Sequence, residues 1–520
     1  MKLVTAEQMR ELDRIAIHER GIPSIDLMER AGGAVARCAA SMIADGGARR
    51  RVLLFAGKGN NGGDAFVAAR QLEAEGLKTK TIMLSGRRDI TGDARENLQR
   101  LEQTGADVVS AETLEELEKL KECAGAFDLV IDGILGTGVK GKVAGHFAEA
   151  ICFICGLHKM VVAIDLPSGL DATSGRACGV AIRASATITM GLPKIGLILA
   201  DGLEHSGRIR VADIGLPEDM VRNAPGEGEL TVEQDLYTLF PPRKRVSHKG
   251  DYGRILIVAG SPGMTGAACL AASAATRAGA GLVTAAVPRS LNPIMEVKLT
   301  EVMTLPLPET AAGTLGNEAG EAILRVAGRF DIAVIGPGLS RQPETVQMVR
   351  MLVANLRTPM LIDADGLNAI AEDVSVLRKR ESQVILTPHP GEMARLLRRD
   401  TADILNDRLA AAEGFARDYG ITLALKGALT VVATAEGGLS LNASGNPGMA
   451  SGGSGDVLSG VIASFWGQGM SADDAARAGV FVHGDAGDRA ALLLGERALI
   501  ASDIIDHLPA AIESLACRRW

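Results

Sequence analysis

Short apolar runs that end on glycine, proline or aspartate recur along the chain and alternate with stretches of helical periodicity. Few architectures accept that pattern. A strand covered by helices on both faces of its sheet reads as a continuous apolar run, and a parallel neighbour requires a helix-length crossover. In the first part of the chain "RVLLFAG", "KTIMLS", "FDLVIDG", "VVAIDLPSG" and "SATITMG" are such runs. A zone of breakers follows, "NAPGEGE" (223–229) and "FPPRKR" (240–245), and then the pattern restarts with "RILIVAG". It continues through "LVTAAVP", "DIAVIGPG", "PMLIDADG", "QVILTPHPGE", "ITLALKG", "LTVVAT" and "GLSLN". The expectation is an α/β protein with two mostly parallel sheets: a domain over 1–225, a linker over 226–240 and a larger domain over 241–520. The length agrees, because 520 residues exceed what one hydrophobic core accommodates.

Charge and cysteine usage exclude several classes. A formal net charge of −8 offers no bulk attraction for nucleic acid or an anionic membrane, so an anionic ligand needs a local site. The opening "MKLVTAEQMRELDRIAIHERG" interrupts its apolar positions with charges and lacks the apolar core of a signal peptide. A cytoplasmic protein is expected, acting on small molecules. Seven scattered cysteines form no disulfide framework, which suits a reducing compartment. Cys152 and Cys155 form a C-x-x-C within "AEAICFICGLHK", and their apolar neighbours at helical spacing make buried helix positions the expectation.

The first block carries G-x-G-x-x-G at Gly57, Gly59 and Gly62, between a strand and a helix. A dinucleotide fingerprint also expects an acid at the end of the next strand, and "TIMLSG" ends instead in Ser85 and Gly86. Hydride transfer is therefore the weakest reading. Other strand ends supply Asp132, a second glycine loop from Gly136 to Gly141, and Asp165 with Ser168. Each residue alone is an ordinary turn former or cap. Together with Asn60, Asn61 and Asp64 they place oxygen groups beside two anion-accepting loops.

"GKGNNGGDAFVAAR", "DGILGTGVKG" and "AIDLPSGLDATSG" resemble the NAD(P)H-hydrate epimerase domain, over about residues 1–225. The resemblance implies a Rossmann-like three-layer fold and a K⁺ site from Asn61, Asp132 and Ser168. It also implies that Asn60, Asn61, Gly62, Gly63, Asp64, Gly136, Thr137, Gly138, Val139, Lys140, Gly141, Lys142 and Asp165 line the hydrated nucleotide. Neutral oxygens plus one carboxylate suit an undemanding monovalent cation. Asp165 is expected to assist epimerisation, as proton acceptor or as counter-charge to a cationic ring, and Lys140 to pair with ligand phosphate.

The second block contains no P-loop. Its "NPGMASGGSGDVLSG" (446–460) is a glycine turn opening a helix, where unpaired amides and the helix dipole favour an anion. Asp456 within it is either a helix cap or a base held beside a phosphoryl group. Phosphoryl transfer requires a group that takes the proton of the attacking hydroxyl, and Lys426 and Mg²⁺ would limit the repulsion, so within this block Asp456 is expected to be the catalytic base. Lys426 and Thr430 in "LKGALTVV", the turns "GSPGMTGAA" (260–268) and "IGPGL" (335–339), and His389 between two prolines complete the candidates.

"GSGDVLSG" is similar to the anion-hole signature of ribokinase-like enzymes. With "TPHPGEM", "LKGALT" and "GNPGMASGGSGD", it resembles the NAD(P)H-hydrate dehydratase branch, over about residues 240–515. The resemblance implies that ADP uses Lys426, Gly427, Ala428, Leu429, Thr430 and Gly455, with Mg²⁺, and that Ala267, Gly338, His389 and Asp456 face the hydrate. Substrates would be NADHX or NADPHX and ADP or ATP, and a homo-oligomer is expected. The competing readings are a ribokinase-like kinase of pyrimidine or thiazole alcohols with an accessory domain, and a first domain that serves only as a binding scaffold.

Overall fold

The structure, a computed structural model of the chain, describes residues 1–44, 50–139 and 141–516. It divides into two units, 1–228 and 229–520. Among the described residues, unit one holds seven strands: β1 (Arg51–Ala56), β2 (Lys78–Met83), β3 (Asp107–Ser110), β4 (Leu129–Gly133), β5 (Met160–Ile164), β6 (Ala186–Met190) and β7 (Arg208–Ala212). They form one parallel sheet in the order β3-β2-β1-β4-β5-β6-β7. Alternation along β1 sends Val52 and Leu54 into a core shared with Phe66 and Leu72, and Leu53 and Phe55 into one shared with Ile151 and Phe153. Helices thus cover both faces, which is why the strands read as unbroken apolar runs.

Unit two holds β8 (Glu229–Leu230), β9 (Arg254–Val258), β10 (Leu282–Pro288), β11 (Met303–Leu307), β12 (Ile332–Ile335), β13 (Met360–Ile362), β14 (Val384–Leu386), β15 (Thr422–Leu425), β16 (Thr430–Ala433) and β17 (Leu439–Asn442). The sheet order is β11-β10-β9-β12-β13-β14-β15-β16-β17-β8. Strands β9 to β15 are parallel, and β16 turns back against β15. Ile255 and Ile257 pack with Val461 and Phe465, while Leu256 and Val258 pack with Ile323 and Leu352 on the other face.

Two expectations need correction, and some strands went unread. Residues 229–240 do not behave as a linker: Glu229 and Leu230 pair with Ser440 and Leu441, and Leu236 is wholly buried in the second core. Four strands lacked a readable signal, β3, β7, β8 and β11. Three of these are largely exposed or half-buried and the fourth is two residues long, so none needs a continuous apolar run. Cys152 and Cys155 are both exposed on the helix Gly145–Gly156, because Ala150, Ile151, Phe153 and Ile154 form its buried face. Among the described residues, no helix is long and apolar enough to cross a membrane.

Candidate active sites

In an open parallel sheet, the loops at carboxyl ends part where the strand order reverses, and ligands bind in that crevice. Unit one reverses between β1 and β4. Gly57 follows β1, and a Cβ there would lie 2.1 Å from the Ile134 carbonyl oxygen, so glycine lets the two loops meet. Asp132, near the end of β4, is fully buried and accepts hydrogen bonds from Ser168 Oγ (2.6 Å), Ser168 N (2.8 Å) and Ile134 N (3.3 Å). Leu135 N donates to Ser168 Oγ at 2.9 Å, and Asn61 Nδ2 donates to Leu135 O and Ile164 O at 3.1 and 2.7 Å. Three residues far apart in sequence thus converge around Leu135. Burial pushes the Asp132 carboxyl up to about 6, against the hydrogen bonds from Ser168.

Beside this cluster lies a cavity of about 160 Å³ whose walls include Asp13, Asn60, Asp64, Thr137, Asp165 and Lys194. Asp165 follows β5 with φ +65°, a strained conformation for a residue other than glycine. Its Oδ1 accepts from Lys194 Nζ (2.5 Å), Met190 N (3.0 Å) and Thr189 Oγ1 (3.2 Å). Lys194 is 1% exposed and also donates to Met190 O at 2.8 Å. Sequence reasoning missed this lysine and Asp13. Lys194 follows β6, so its place just past an apolar run is the signal that was available. Gly138, Val139, Gly141 and Lys142 are not among the described residues lining the cavity, and Lys140 lies outside the described residues. Gly62 and Gly63 are buried within the helix Asn60–Ala74, and Gly136 packs on the Asn61 side chain.

Unit two reverses between β9 and β12. Gly338, beyond β12, has φ +62°, and a Cβ there would lie 2.8 Å from Met264 O and 3.1 Å from Ala267 Cβ, so the two loops touch at these residues. Next along the same edge come Asp363 after β13, His389 after β14 and Lys426 after β15. Lys426 Nζ donates to Asp363 Oδ1 at 2.7 Å and lies 4.0 Å from Glu392. Ser459 Oγ donates to Asp363 Oδ2 at 2.8 Å. Burial alone would lower the Lys426 pKa, but Asp363, Glu392 and Asp456 outweigh it and raise it. His389 caps the helix Pro390–Leu397, its Nδ1 accepting from Gly391 N, and it stays half exposed. Asp363 and Glu392 carry this cluster and were not singled out from sequence.

Asp456 is the third residue of the helix Ser454–Gly467, whose N-cap is Gly453. Among the described residues, its carboxylate accepts no hydrogen bond and makes no ion pair. A cap would bond the first amides, and this acid does not. Burial and the Asp363 carboxylate push it up to about 7 despite Lys426. Lys426 Nζ stands 3.3 Å from where a Cβ on Gly455 would sit, so glycine keeps the ammonium next to the helix end. Buried His483 approaches the Ser454 carbonyl at 3.0 Å through Nε2, which therefore carries the proton, and burial lowers its pKa to about 4. Gly427 to Thr430 form the turn from β15 to β16, with Thr430 Oγ1 donating to Gly427 O.

The fold and the two carboxyl-edge sites define a two-site α/β enzyme. Residues 255–510 match the family model described as NAD(P)H-hydrate dehydratase, and residues 24–196 match that of the YjeF-related protein N-terminus. The chain is 46% identical over 515 residues to the bifunctional NAD(P)H-hydrate repair enzyme of Moorella thermoacetica, covering 99% of this chain and 97% of that one. Identity to the enzyme of the same name from Thermofilum pendens is 38%, over 99% and 97% of the two chains. A ribokinase-like superfamily protein of Enterococcus faecalis superposes with TM-score 0.50 at 24% identity, over 56% of this chain and 97% of its own, which shows the fold of the second unit. The chain belongs to the bifunctional NAD(P)H-hydrate repair enzyme family. Matching of both halves by such relatives overturns the alternative of a vitamin kinase with an accessory domain.

Proposed function

We propose that unit one interconverts the R and S epimers of hydrated NADH and NADPH, and that unit two dehydrates the S epimer at the expense of ADP or ATP. The observation that carries this reading is the Asp456 carboxylate, unpartnered at the open end of a helix and next to Lys426. The terminal phosphoryl group would lie on the amides of Gly453 to Gly455, with Lys426 neutralising its charge. Asp456 takes the proton of the ring hydroxyl as that oxygen attacks phosphorus. Phosphate then departs with the oxygen, and loss of the neighbouring ring proton restores the dihydronicotinamide. Ala267, Gly338 and His389 would border the hydrate, and Lys426, Gly427, Ala428, Leu429, Thr430 and Gly455 the nucleotide.

Mg²⁺ takes one or two carboxylates and completes its shell with phosphate and water oxygens, so Glu392, buried near Lys426, is the carboxylate that fits. It would supply neutralisation of the phosphates. In unit one, the Asp132 carboxylate, Ser168 hydroxyl, Asn61 amide oxygen and nearby carbonyls fit K⁺, because Asp132 is a buried acid whose hydrogen-bond partners among the described residues are uncharged. K⁺ would balance that charge and hold the loops after β1, β4 and β5 in register.

The test is to supply mixed epimers with ADP or ATP, Mg²⁺ and K⁺ and to follow the near-ultraviolet absorbance of the dihydronicotinamide. The whole mixture should be converted with one of the two nucleotides. No rise with either would end the repair reading.

Two further outcomes are expected. Because Asp456 must be ionised to act as a base, kcat/KM of dehydration should fall about tenfold per pH unit below about pH 7. A profile flat to pH 5.5 would remove Asp456 from that role. The Asp132 pKa is raised above its unfolded value of 3.8, so the stability it contributes is present at low pH and lost as pH rises through about 6. K⁺ should offset that loss. At pH 8 and about 100-fold over its Kd, K⁺ should lift the unfolding temperature of unit one by roughly 5–10 °C, and of Asp132→Asn hardly at all.

A further inference from the structure

The cavity of unit one contains more acid than cation. Asp13, Asp64, Asp93 and Asp165 line it, and Lys194 is the one basic residue among its described lining. That lysine is committed to Asp165 at 2.5 Å, and Asp165 Oδ1 receives two further hydrogen bonds. An anion tied to an ammonium in this way is a fixed charge. It suits counter-charge to a cationic ring and is a poor carrier of a proton that must leave and return.

Asp64 is different. It is 6% exposed, lines the cavity from the helix Asn60–Ala74, and among the described residues accepts no hydrogen bond and forms no ion pair. Asp13 enters from the helix Ala6–Arg14, is half-buried and is likewise unpartnered among the described residues. A carboxyl buried without partners beside a fixed anion keeps its proton. Burial and the charges of Asp165 and Asp13 raise the Asp64 pKa well above its ordinary value, and burial carries Asp13 to about 6 although Lys194 opposes it.

We propose that Asp64 is the proton-transferring residue of epimerisation, with Asp13 as its companion acid and the Asp165–Lys194 pair as the fixed counter-charge. This deepens the reading of unit one as the epimerase site and rests on it. The protonated Asp64 carboxyl donates its proton to the hydroxyl on the hydrated ring carbon. The carbon–oxygen bond breaks, the ring-nitrogen lone pair forms a carbon–nitrogen double bond, and water leaves. Water then adds to the opposite face, the double bond returns its electron pair to nitrogen, and the carboxylate recovers one proton from that water. Atoms and charge balance with water as the only co-reactant.

Asparagine reproduces the shape and neutrality of a protonated carboxyl, so Asp64→Asn and Asp13→Asn should fold. In the full chain, epimerisation of the R form is read by coupling it to dehydration of the S form with the nucleotide supplied. The expected result for Asp64→Asn is a loss in epimerisation kcat of about 10²–10⁴-fold with KM within about threefold, and for Asp13→Asn a loss of about tenfold in kcat. Dehydration of pure S epimer should be unchanged in both. Asp64→Glu should recover part of the rate, which a packing role would not allow. Wild-type epimerisation with Asp64→Asn within threefold of it, or a change confined to KM, would overturn the proposal and leave the epimerase reading standing. Absence of epimerisation in the wild type would overturn both.

Discussion

Asp456→Asn is expected to abolish most dehydration, lowering kcat by about 10²–10⁴-fold while leaving nucleotide KM within a few-fold. The size follows from the geometry. The carboxylate has no structural partner among the described residues, so its neutralisation breaks no hydrogen bond or ion pair and removes only the acceptor for the substrate proton. Stability should hold or rise, because a half-buried carboxyl whose pKa is pushed to about 7 is a native-state cost when ionised. Epimerisation should be untouched, since its residues belong to the other unit. The measurement is turnover of pure S epimer with saturating nucleotide, alongside thermal unfolding. Retention of more than a tenth of wild-type kcat with intact folding would show that another group takes the proton.

Lys194→Met is expected to cost unit one about 3–5 kcal/mol of stability. The ammonium is almost wholly buried and its partner Asp165 nearly so; without it Asp165 keeps, among the described residues, only Met190 N and Thr189 Oγ1 to balance a full charge. Breaking a buried pair costs far more than never having made it, so Lys194→Met with Asp165→Asn should recover most of the lost stability. The recovered protein should still epimerise poorly, because the fixed counter-charge is gone. Denaturant unfolding of the single and double variants decides the matter. A single-variant cost below about 1 kcal/mol would mean that the pair is solvated and carries little.

The sites were legible in unequal parts. Glycines and acids at strand ends were visible because a parallel sheet delivers its ligand loops there, and Asn61, Asp132 and Ser168 converge as expected. The glycine triplet was visible too, but Gly62 is packed against the Gly57 carbonyl, where a Cβ would lie 1.9 Å from its oxygen. Lys194, Asp13, Asp363 and Glu392 were not seen. Each is a common residue type whose meaning lies in what the fold brings beside it: Lys194 with Asp165, Asp363 with Lys426 and Ser459, Glu392 near Lys426, and Asp13 in the wall of the cavity.

By itself the sequence determined the two α/β units, most of their central strands and the edge that carries chemistry. Those follow from local rules, since a run buried on both faces must be apolar and a turn before a helix must be permissive. For the isolated glycine turn it left Asp456 as either cap or base, and only with the rest of the block did it favour the base. Only the tertiary structure decided that Gly453 takes the cap position and that Lys426 stands beside the acid. The reason is physical: a carboxylate's role depends on which charges and donors surround it and how much water remains. Those neighbours are brought together by the order of strands across the sheet, and no single stretch of the chain contains them.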